Sequence, residues 1–395
     1  MWRLGFFLHE MAFGLLSIFL PLYVVSIGGS LVQIGIMSSV ALLLAIPASF
    51  FWGYICDKTR HYKQYILISF LSLTIILILF TTTTDVGFLI MLYAVMSIFH
   101  VAHEAPKNVL VAELYTREEW EKTFAFYEGF TETGWLIGLI LGFLMSIYGI
   151  NATSTLVFCS GLNLFAFITS LVLVTDPVLI FERGLVNIEK TINFTHRGLA
   201  VASRIWDGSA TNERIKRENT QAFFVGLILF SLATSILFTP LPVFFSCDLA
   251  LSAGMVFVVY ALNSGAGVIG YLLAGNRFDI QGEKTALNRI VIFRSILAFS
   301  LIFVTLVPAY NLTLATLVLI LMGFAYALFM VFILSLSMEL MPQGKSGLFN
   351  VLVGLGGASG SFIGPLLAET FGFSSVFMAS GLIFLIAFAA FKMFA

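Results

Sequence analysis

The stretch that decides the fold is residues 31–63, LVQIGIMSSVALLLAIPASFFWGYICDKTRHYK. Its first part, residues 31–55, contains no Asp, Glu, Lys or Arg and exceeds the roughly 20 apolar residues that a helix needs to cross a bilayer. Its end, residues 56–63, holds three Lys or Arg side chains and one Asp. An apolar run followed by a short basic segment predicts a membrane-crossing helix that ends at a membrane surface.

This pattern recurs along the whole chain. The 395 residues are 59% hydrophobic and 10% charged, whereas a soluble domain carries roughly a quarter charged residues. This composition excludes a soluble enzyme, and the basic residues are too interleaved with acids to form a nucleic-acid surface. Twelve spans are predicted, at residues 4–27, 31–55, 64–83, 86–114, 121–148, 152–175, 220–246, 250–275, 288–308, 311–340, 346–369 and 372–394.

The basic residues predict the orientation. Of the 20 Lys and Arg residues, only Lys107 and Arg294 lie well inside spans, and Arg294 is placed near the start of span 9. The others fall at the chain ends or in the connections that follow even-numbered spans. Because basic loops translocate poorly, both termini are expected in the cytoplasm. The predicted fold is an all-α, multi-pass protein of the cell membrane.

The two groups of six spans resemble each other. Glu113 near the end of span 4 matches Glu339 of span 10, and Gly134 of span 5 matches Gly360 of span 11. An ordered series of such matches predicts two pseudo-symmetric six-helix bundles with a binding site between them.

The longest polar stretch divides the chain into two domains. We predict an N-terminal bundle at 1–178, a cytoplasmic linker at 179–219 and a C-terminal bundle at 220–395. Scattered apolar residues in 178–206 are compatible with a short amphipathic helix on the membrane surface.

The segment after span 2 carries a recognisable motif. Gly53, Asp57, Lys58 and Arg60 resemble the G-x-x-x-D-[R/K]-x-[G/R] signature between helices 2 and 3 of the major facilitator superfamily of secondary transporters. A second-half copy that begins at Gly270 keeps the glycine and an arginine but lacks the aspartate. The resemblance implies alternating access around a central cavity, with these four residues as a gating loop. Simple anchoring of the basic side chains at the membrane surface is the alternative.

Ionisable residues inside spans are costly and usually functional. In the first half they are His9 and Glu10 of span 1, His100, His103, Glu104 and Lys107 of span 4, and Glu128 and Glu132 of span 5. At 100° per residue those of span 4 lie within one arc of about 100°. Carboxyl groups in a dry cavity and histidines can exchange protons near neutral pH, so the pattern predicts a proton relay. A static ion-pair network that joins Lys107 to Glu104 and Glu128 is the alternative.

The excess of acids over Lys107 favours cationic or neutral substrates. We therefore expect a proton antiporter that exports organic cations or amphiphilic compounds, with proton symport of a small neutral solute as the alternative. Side chains expected to line the substrate path are Tyr23, Trp135, Asn263, Tyr326 and Asn350.

Other classes are less well supported. His and Glu residues are also ligands of transition metals, but Lys107 shares their face and opposes a bound cation. A non-transporting sensor would be expected to have lost its intramembrane charges. No phosphate-binding loop is present, so energy must come from a gradient. We expect no enzymatic activity, no cofactor and no metal site; the expected partners are a small-molecule substrate, protons and the lipid bilayer, and the expected state is a monomer.

Overall fold

The described part of the chain consists of helices joined by short connections. The structure, a computed structural model, describes residues 3–114, 120–176, 219–274, 280–306, 311–340 and 347–394, and no strand occurs among them. Twelve helical segments are long and apolar enough to cross a membrane, which confirms the predicted fold class and number of spans. With twelve crossings both chain ends lie on one side, which we call the terminal side.

The spans have the following bounds. Spans 1 to 6 are Leu4–Ser26, Leu31–Thr59, Tyr62–Phe80, then Val86–His100 with Val101–His103 and Glu104–Leu114, then Trp120–Ile147 and Ala152–Leu173. Spans 7 to 12 are Thr220–Phe238 with Leu241–Val243 and Phe244–Asp248, then Ala253–Ala274, Ile280–Leu306, Asn311–Leu340, Gly347–Phe371 and Phe373–Phe394.

Span 4, predicted at residues 86–114, is interrupted near its middle. A 3₁₀ turn at Val101–His103 separates two α-helical parts. Pro106 accounts for the change, because it has no N–H to offer the carbonyl of Ala102 and its ring crowds that carbonyl. The preceding turn tightens as a result. This tightened turn lies at the histidines of span 4.

Span 7 is also interrupted, at Pro240 and Pro242. The Phe244 N–H bonds to the carbonyl of Pro240 at 3.1 Å, and a π-helical turn, Phe244–Asp248, completes the span. The two prolines lack an N–H and so interrupt the regular α-helical hydrogen bonding of this span.

Buried apolar side chains form separate cores in the two halves. Among the described residues, the largest core consists of side chains from 222–394, joined from the first half only by Ile18 and Leu139. Three further clusters are built from residues 6–174, with Val243 as their one member from the second half. Each half therefore packs chiefly on itself.

Glycines bring paired helices close together in each half. A Cβ on Gly138 of span 5 would collide with the backbone of Met11 in span 1. A Cβ on Gly364 of span 11 would collide with the backbone of Ile236 in span 7. This small-residue packing occurs at equivalent places in the two halves.

Spans 2 and 11, and spans 5 and 8, connect the two halves. Near the side opposite the termini, the Val32 N–H donates to Oε2 of Glu369 at 2.9 Å. A Cβ on Gly142 of span 5 would meet the ring of Phe257 in span 8. These contacts define the interface between the halves.

The predicted linker, 179–219, lies outside the described residues except for its last position, and the predicted amphipathic helix at 178–206 lies outside them entirely.

Candidate functional site

Three histidines meet inside the first half. His9 of span 1 is fully buried, and its Nε2 lies 3.1 Å from Nδ1 of His100 in span 4. Its Nδ1 lies 2.8 Å from Oδ1 of Asn163 in span 6. Because the Asn163 amide nitrogen donates to the Cys159 carbonyl at 3.0 Å, the Asn163 oxygen accepts from the His9 Nδ1–H. In its neutral form, His9 therefore accepts at Nε2 from the Nδ1–H of His100.

His103 links this cluster to an ion pair. Its Nδ1 lies 3.2 Å from Oγ of Ser69 in span 3, and its Nε2 lies 3.4 Å from Oε1 of Glu104. The second oxygen of Glu104 lies 2.6 Å from Nζ of Lys107. That ammonium also lies 5.4 Å from the centroid of the Tyr127 ring. His100, His103, Glu104 and Lys107 thus form one polar stripe, with histidines at one end and an ion pair at the other.

Two further carboxylates surround the same lysine. Glu10 of span 1 and Glu128 of span 5 both lie within electrostatic range of Lys107. The lysine pairs directly with Glu104, so its single charge offsets only one of three nearby carboxylates. The structure therefore brings together the residues that the sequence grouped, and it includes one contact of the static ion-pair alternative.

Glu132 faces the second half of the molecule. Its Oε1 accepts a hydrogen bond from Oγ of Ser264 in span 8 at 2.6 Å. A Cβ on Gly267 would lie 3.7 Å from the same oxygen, at van der Waals distance, so Gly267 of span 8 lies beside the carboxylate. Glu132 is also within electrostatic range of Glu128. A direct bond between the halves is a role that the sequence pattern did not predict for this residue.

The expected gating loop is a helix end rather than a loop. The helix Leu31–Thr59 includes Gly53, Asp57 and Lys58. It continues further than expected because nothing interrupts it before Arg60, which adopts the left-handed conformation at φ 58°. Span 3 begins almost immediately afterwards, so the motif forms a tight corner between two spans.

One predicted lining residue borders a cleft on the side opposite the termini. The cleft has a volume of ≈ 330 Å³ and lies between spans of both halves. Tyr23, Ser26, Ser146, Thr155 and Ser246 contribute hydroxyl groups to it. Among the described residues that line it, none is Asp, Glu, Lys, Arg or His.

The other predicted lining residues do not join Tyr23 there. Trp135 packs against the core of the second half. The amide of Asn263 donates to the carbonyl of Leu319 at 2.6 Å and so joins spans 8 and 10. Asn350 is exposed near the start of span 11, at the opposite end of the molecule from Tyr23.

Arg294 lies deep inside the second half, not near a helix start. Span 9 begins at Ile280, well before the predicted boundary, and Arg294 is 0% exposed. Its guanidinium carbon lies 5.3 Å from the ring centroid of Tyr326, the remaining predicted lining residue. The sequence already indicated a functional residue here, because an arginine within a long apolar run is rarely tolerated without a function.

Arg294 lies beside Tyr326, a residue that corresponds in the second half to one of the histidines of the first. The offset that relates Glu113 to Glu339 also relates His100 to Tyr326. Each half therefore has a buried polar centre at an equivalent place, with histidines in the first half and an arginine among aromatic rings in the second.

Twelve spans in two similar halves, with ionisable groups buried at their centres and between them, are typical of a membrane transporter. The family model described as Major Facilitator Superfamily matches residues 4–365, and the chain belongs to this superfamily. It is therefore a multi-pass integral membrane protein of a transporter family. Comparison with curated proteins found no matching sequence.

Solved structures of transporters share the fold. The nucleoside transporter NupG aligns with a TM-score of 0.73 at 16% identity, covering 100% of this chain and 98% of that one. The human organic anion transporter MFSD10 (TETRAN) aligns with a TM-score of 0.71 at 15% identity, covering 99% and 97%. At these identities the likeness concerns the fold.

Proposed function

We propose that this protein is a proton-coupled transporter that works by alternating access, and that it exports organic cations or amphiphilic compounds in exchange for protons. The observation that carries the proposal is the hydrogen bond between Glu132 and Ser264, which joins the two halves through a titratable group. The halves, 1–178 and 220–395, move against each other in this scheme, with both termini and the linker 179–219 in the cytoplasm.

Coupling requires a group whose protonation changes how the halves hold together. The carboxylate of Glu132 accepts from Ser264, and hydrogen bonds to a charged acceptor are roughly twice as strong as neutral ones. Protonation would remove the charge and weaken this acceptor. The halves would then separate more easily between spans 5 and 8, so proton binding and opening would be linked.

The histidine cluster offers the proton a path within the first half. His9 and His100 are joined by a hydrogen bond, and His103 contacts Glu104. A neutral imidazole accepts a proton on one nitrogen and releases one from the other, so the bonded pair His9 and His100 can pass a proton between them. The carboxylates around Lys107 are groups that can bind the proton.

Charge supports a cationic substrate. Glu10, Glu128 and Glu132 lie within electrostatic range of one another in the first half, and Lys107 is already paired with Glu104. Carboxyl groups that Lys107 does not pair with favour a cation or a neutral molecule over an anion in the space between the halves.

The cleft that contains Tyr23 favours a second candidate. Its lining combines hydroxyl groups with apolar side chains, and such a surface suits a neutral solute that forms hydrogen bonds. Proton symport of a small neutral solute is therefore the alternative function.

The test is pH-dye fluorescence in proteoliposomes that contain the full chain and carry an imposed proton gradient. The panel contains organic cations, neutral solutes, a nucleoside and an organic anion, the last two because transporters of similar fold carry those names. Movement of protons against the solute indicates antiport, and movement with the solute indicates symport. Glu132→Gln should abolish substrate-triggered proton movement while solute exchange continues.

Glu369→Gln is the matched control. Glu369 also joins the halves, through the Val32 N–H, but it is exposed at the far side of the interface. We expect this variant to keep proton coupling. Normal coupling in Glu132→Gln, or equal loss in both variants, would contradict the proposed role of Glu132.

A further inference from the structure

The buried guanidinium of Arg294 has donors that no atom in the described part of the chain satisfies. Its Nη2 lies 3.4 Å from Oγ1 of Thr234, which is a long contact. Its Nε and Nη1 have no acceptor within the part of the chain that the structure describes, and the residue is 0% exposed. Buried charges are normally paired, and an orphaned buried donor calls for an explanation such as a missing ion or ligand.

The surrounding aromatic rings cover the guanidinium but accept no hydrogen bond from its N–H groups. The Arg294 Cζ lies 5.0 to 5.9 Å from the ring centroids of Phe230, Phe238, Tyr326 and Phe384. Ring faces stabilise the cation by cation–π attraction. They supply no lone pair to an N–H, however, and the N–H bonds point outwards in the plane of the guanidinium. The missing acceptor must approach the edge of the group.

Tyr326 marks the route by which an acceptor can arrive. Tyr326 is 38% exposed, whereas Arg294 is not exposed at all. Tyr326 is also within electrostatic range of Arg294 and of Glu132 in the first half. It therefore lies between the arginine and the interface of the halves, and its hydroxyl is a further donor on the way in.

We propose that Arg294, together with Tyr326 and Thr234, forms a binding site for a compact monovalent anionic group. The group is either the carboxylate of an amphiphilic solute or a free inorganic anion such as chloride. A single negative charge matches the single guanidinium, and the close approach of the enclosing rings favours a small group over a bulky one. A divalent phosphate would bring surplus negative charge towards Glu132. This site lies in the second half, and it does not depend on proton coupling through the first.

The test measures thermal unfolding of the purified full chain in detergent, followed by tryptophan fluorescence. Chloride, formate and acetate are titrated at constant ionic strength, with the bulky sulfonate 2-morpholinoethanesulfonate as the balancing anion. The wild-type melting temperature should rise and saturate with a compact anion, because a ligand that binds the folded state stabilises it. Saturation by chloride indicates a free inorganic anion, whereas saturation by formate and acetate alone indicates a carboxylate.

Variants separate a binding site from a structural arginine. Arg294→Met removes every donor but keeps a long unbranched side chain, and it should abolish the response to anions. Without an anion it should melt no lower than the wild type, since removing an uncompensated buried charge is not destabilising. Arg294→Lys keeps the charge but lacks the guanidinium edge, and its affinity should fall at least about tenfold.

Ser231→Ala is the matched control. Ser231 lies in span 7 like Thr234, but its hydroxyl donates to the carbonyl of Val353. This variant should retain the full response to anions. A wild type that melts at one temperature in all four salts would overturn the proposal, as would a response that survives in Arg294→Met.

Discussion

The contact between Glu132 and Ser264 predicts that a single hydroxyl group influences how far apart the two halves lie. In Ser264→Ala, the Glu132 carboxylate loses the donor that lies 2.6 Å away. The two partners belong to different halves, so this bond exists only while spans 5 and 8 are close. Ser264 is 4% exposed, so water has little access to replace the lost hydroxyl.

The size of the effect follows from the chemistry of the bond. A hydrogen bond to a charged group contributes about 1.5–3 kcal/mol, while side-chain hydrogen bonds between membrane helices contribute about 0.6–1.7 kcal/mol. These ranges meet near ~1.5 kcal/mol, and ~1.4 kcal/mol corresponds to a tenfold change in an equilibrium constant. Ser264→Ala should therefore increase the ratio of separated to closed molecules roughly tenfold. Glu132→Gln keeps a neutral acceptor and should have a smaller effect.

Double electron–electron resonance measures this ratio directly. Spin labels at Phe126 and Leu273 report on the terminal ends of spans 5 and 8, where both side chains are exposed. The labelled chain first requires replacement of its native cysteines, Cys56, Cys159 and Cys247. In detergent at fixed pH, the wild type should show mainly the short distance, and Ser264→Ala should show a larger population at the long distance.

Thr133→Val provides the control for this experiment. The hydroxyl of Thr133, next to Glu132, bonds within its own helix to the carbonyl of Gly129 at 2.7 Å, so its loss should not affect the halves. Identical distance distributions in Ser264→Ala and wild type, or an equal shift in Thr133→Val, would show that the Ser264 hydroxyl does not hold the halves together.

Three stability predictions accompany this one. Gly138→Ala should lower the melting temperature in detergent, at a cost of about 1–3 kcal/mol from overpacking against span 1, whereas Gly161→Ala should not, because a Cβ there meets nothing within 4 Å. Lys107→Met should lower the free energy of unfolding by about 2 kcal/mol in a denaturant titration. The loss is smaller than for a fully buried ion pair because Glu104 is 34% exposed. Adding Glu104→Gln should recover most of the loss, because no unpaired charge then remains. Arg60→Gly should leave the protein as stable or up to about 1 kcal/mol more stable by the same titration, since glycine adopts the positive φ at this corner without strain; a clear loss would show that the arginine side chain matters more than the backbone.

The architecture could be predicted because its causes are local. A helix that crosses lipid must satisfy its own backbone hydrogen bonds and expose apolar side chains, so its apolar run is visible in the sequence. The grouping of His9 and Glu10 with the ionisable residues of span 4 was predictable too, since helical spacing places residues on a face and distance from a span end sets their depth. The tightened turn before Pro106 was not predicted, although the proline itself indicated a possible break.

The sequence by itself therefore determined twelve spans, two similar halves and a polar centre in the first half. Only the tertiary structure decided that Glu132 bonds to Ser264 across the interface, that His9 is oriented by Asn163, and that Arg294 lies fully buried among aromatic rings. Each of these depends on which residues of distant spans face each other at the same depth. Helix rotation and packing set that pairing, and the apolar sequence of a span does not indicate which other spans it will contact.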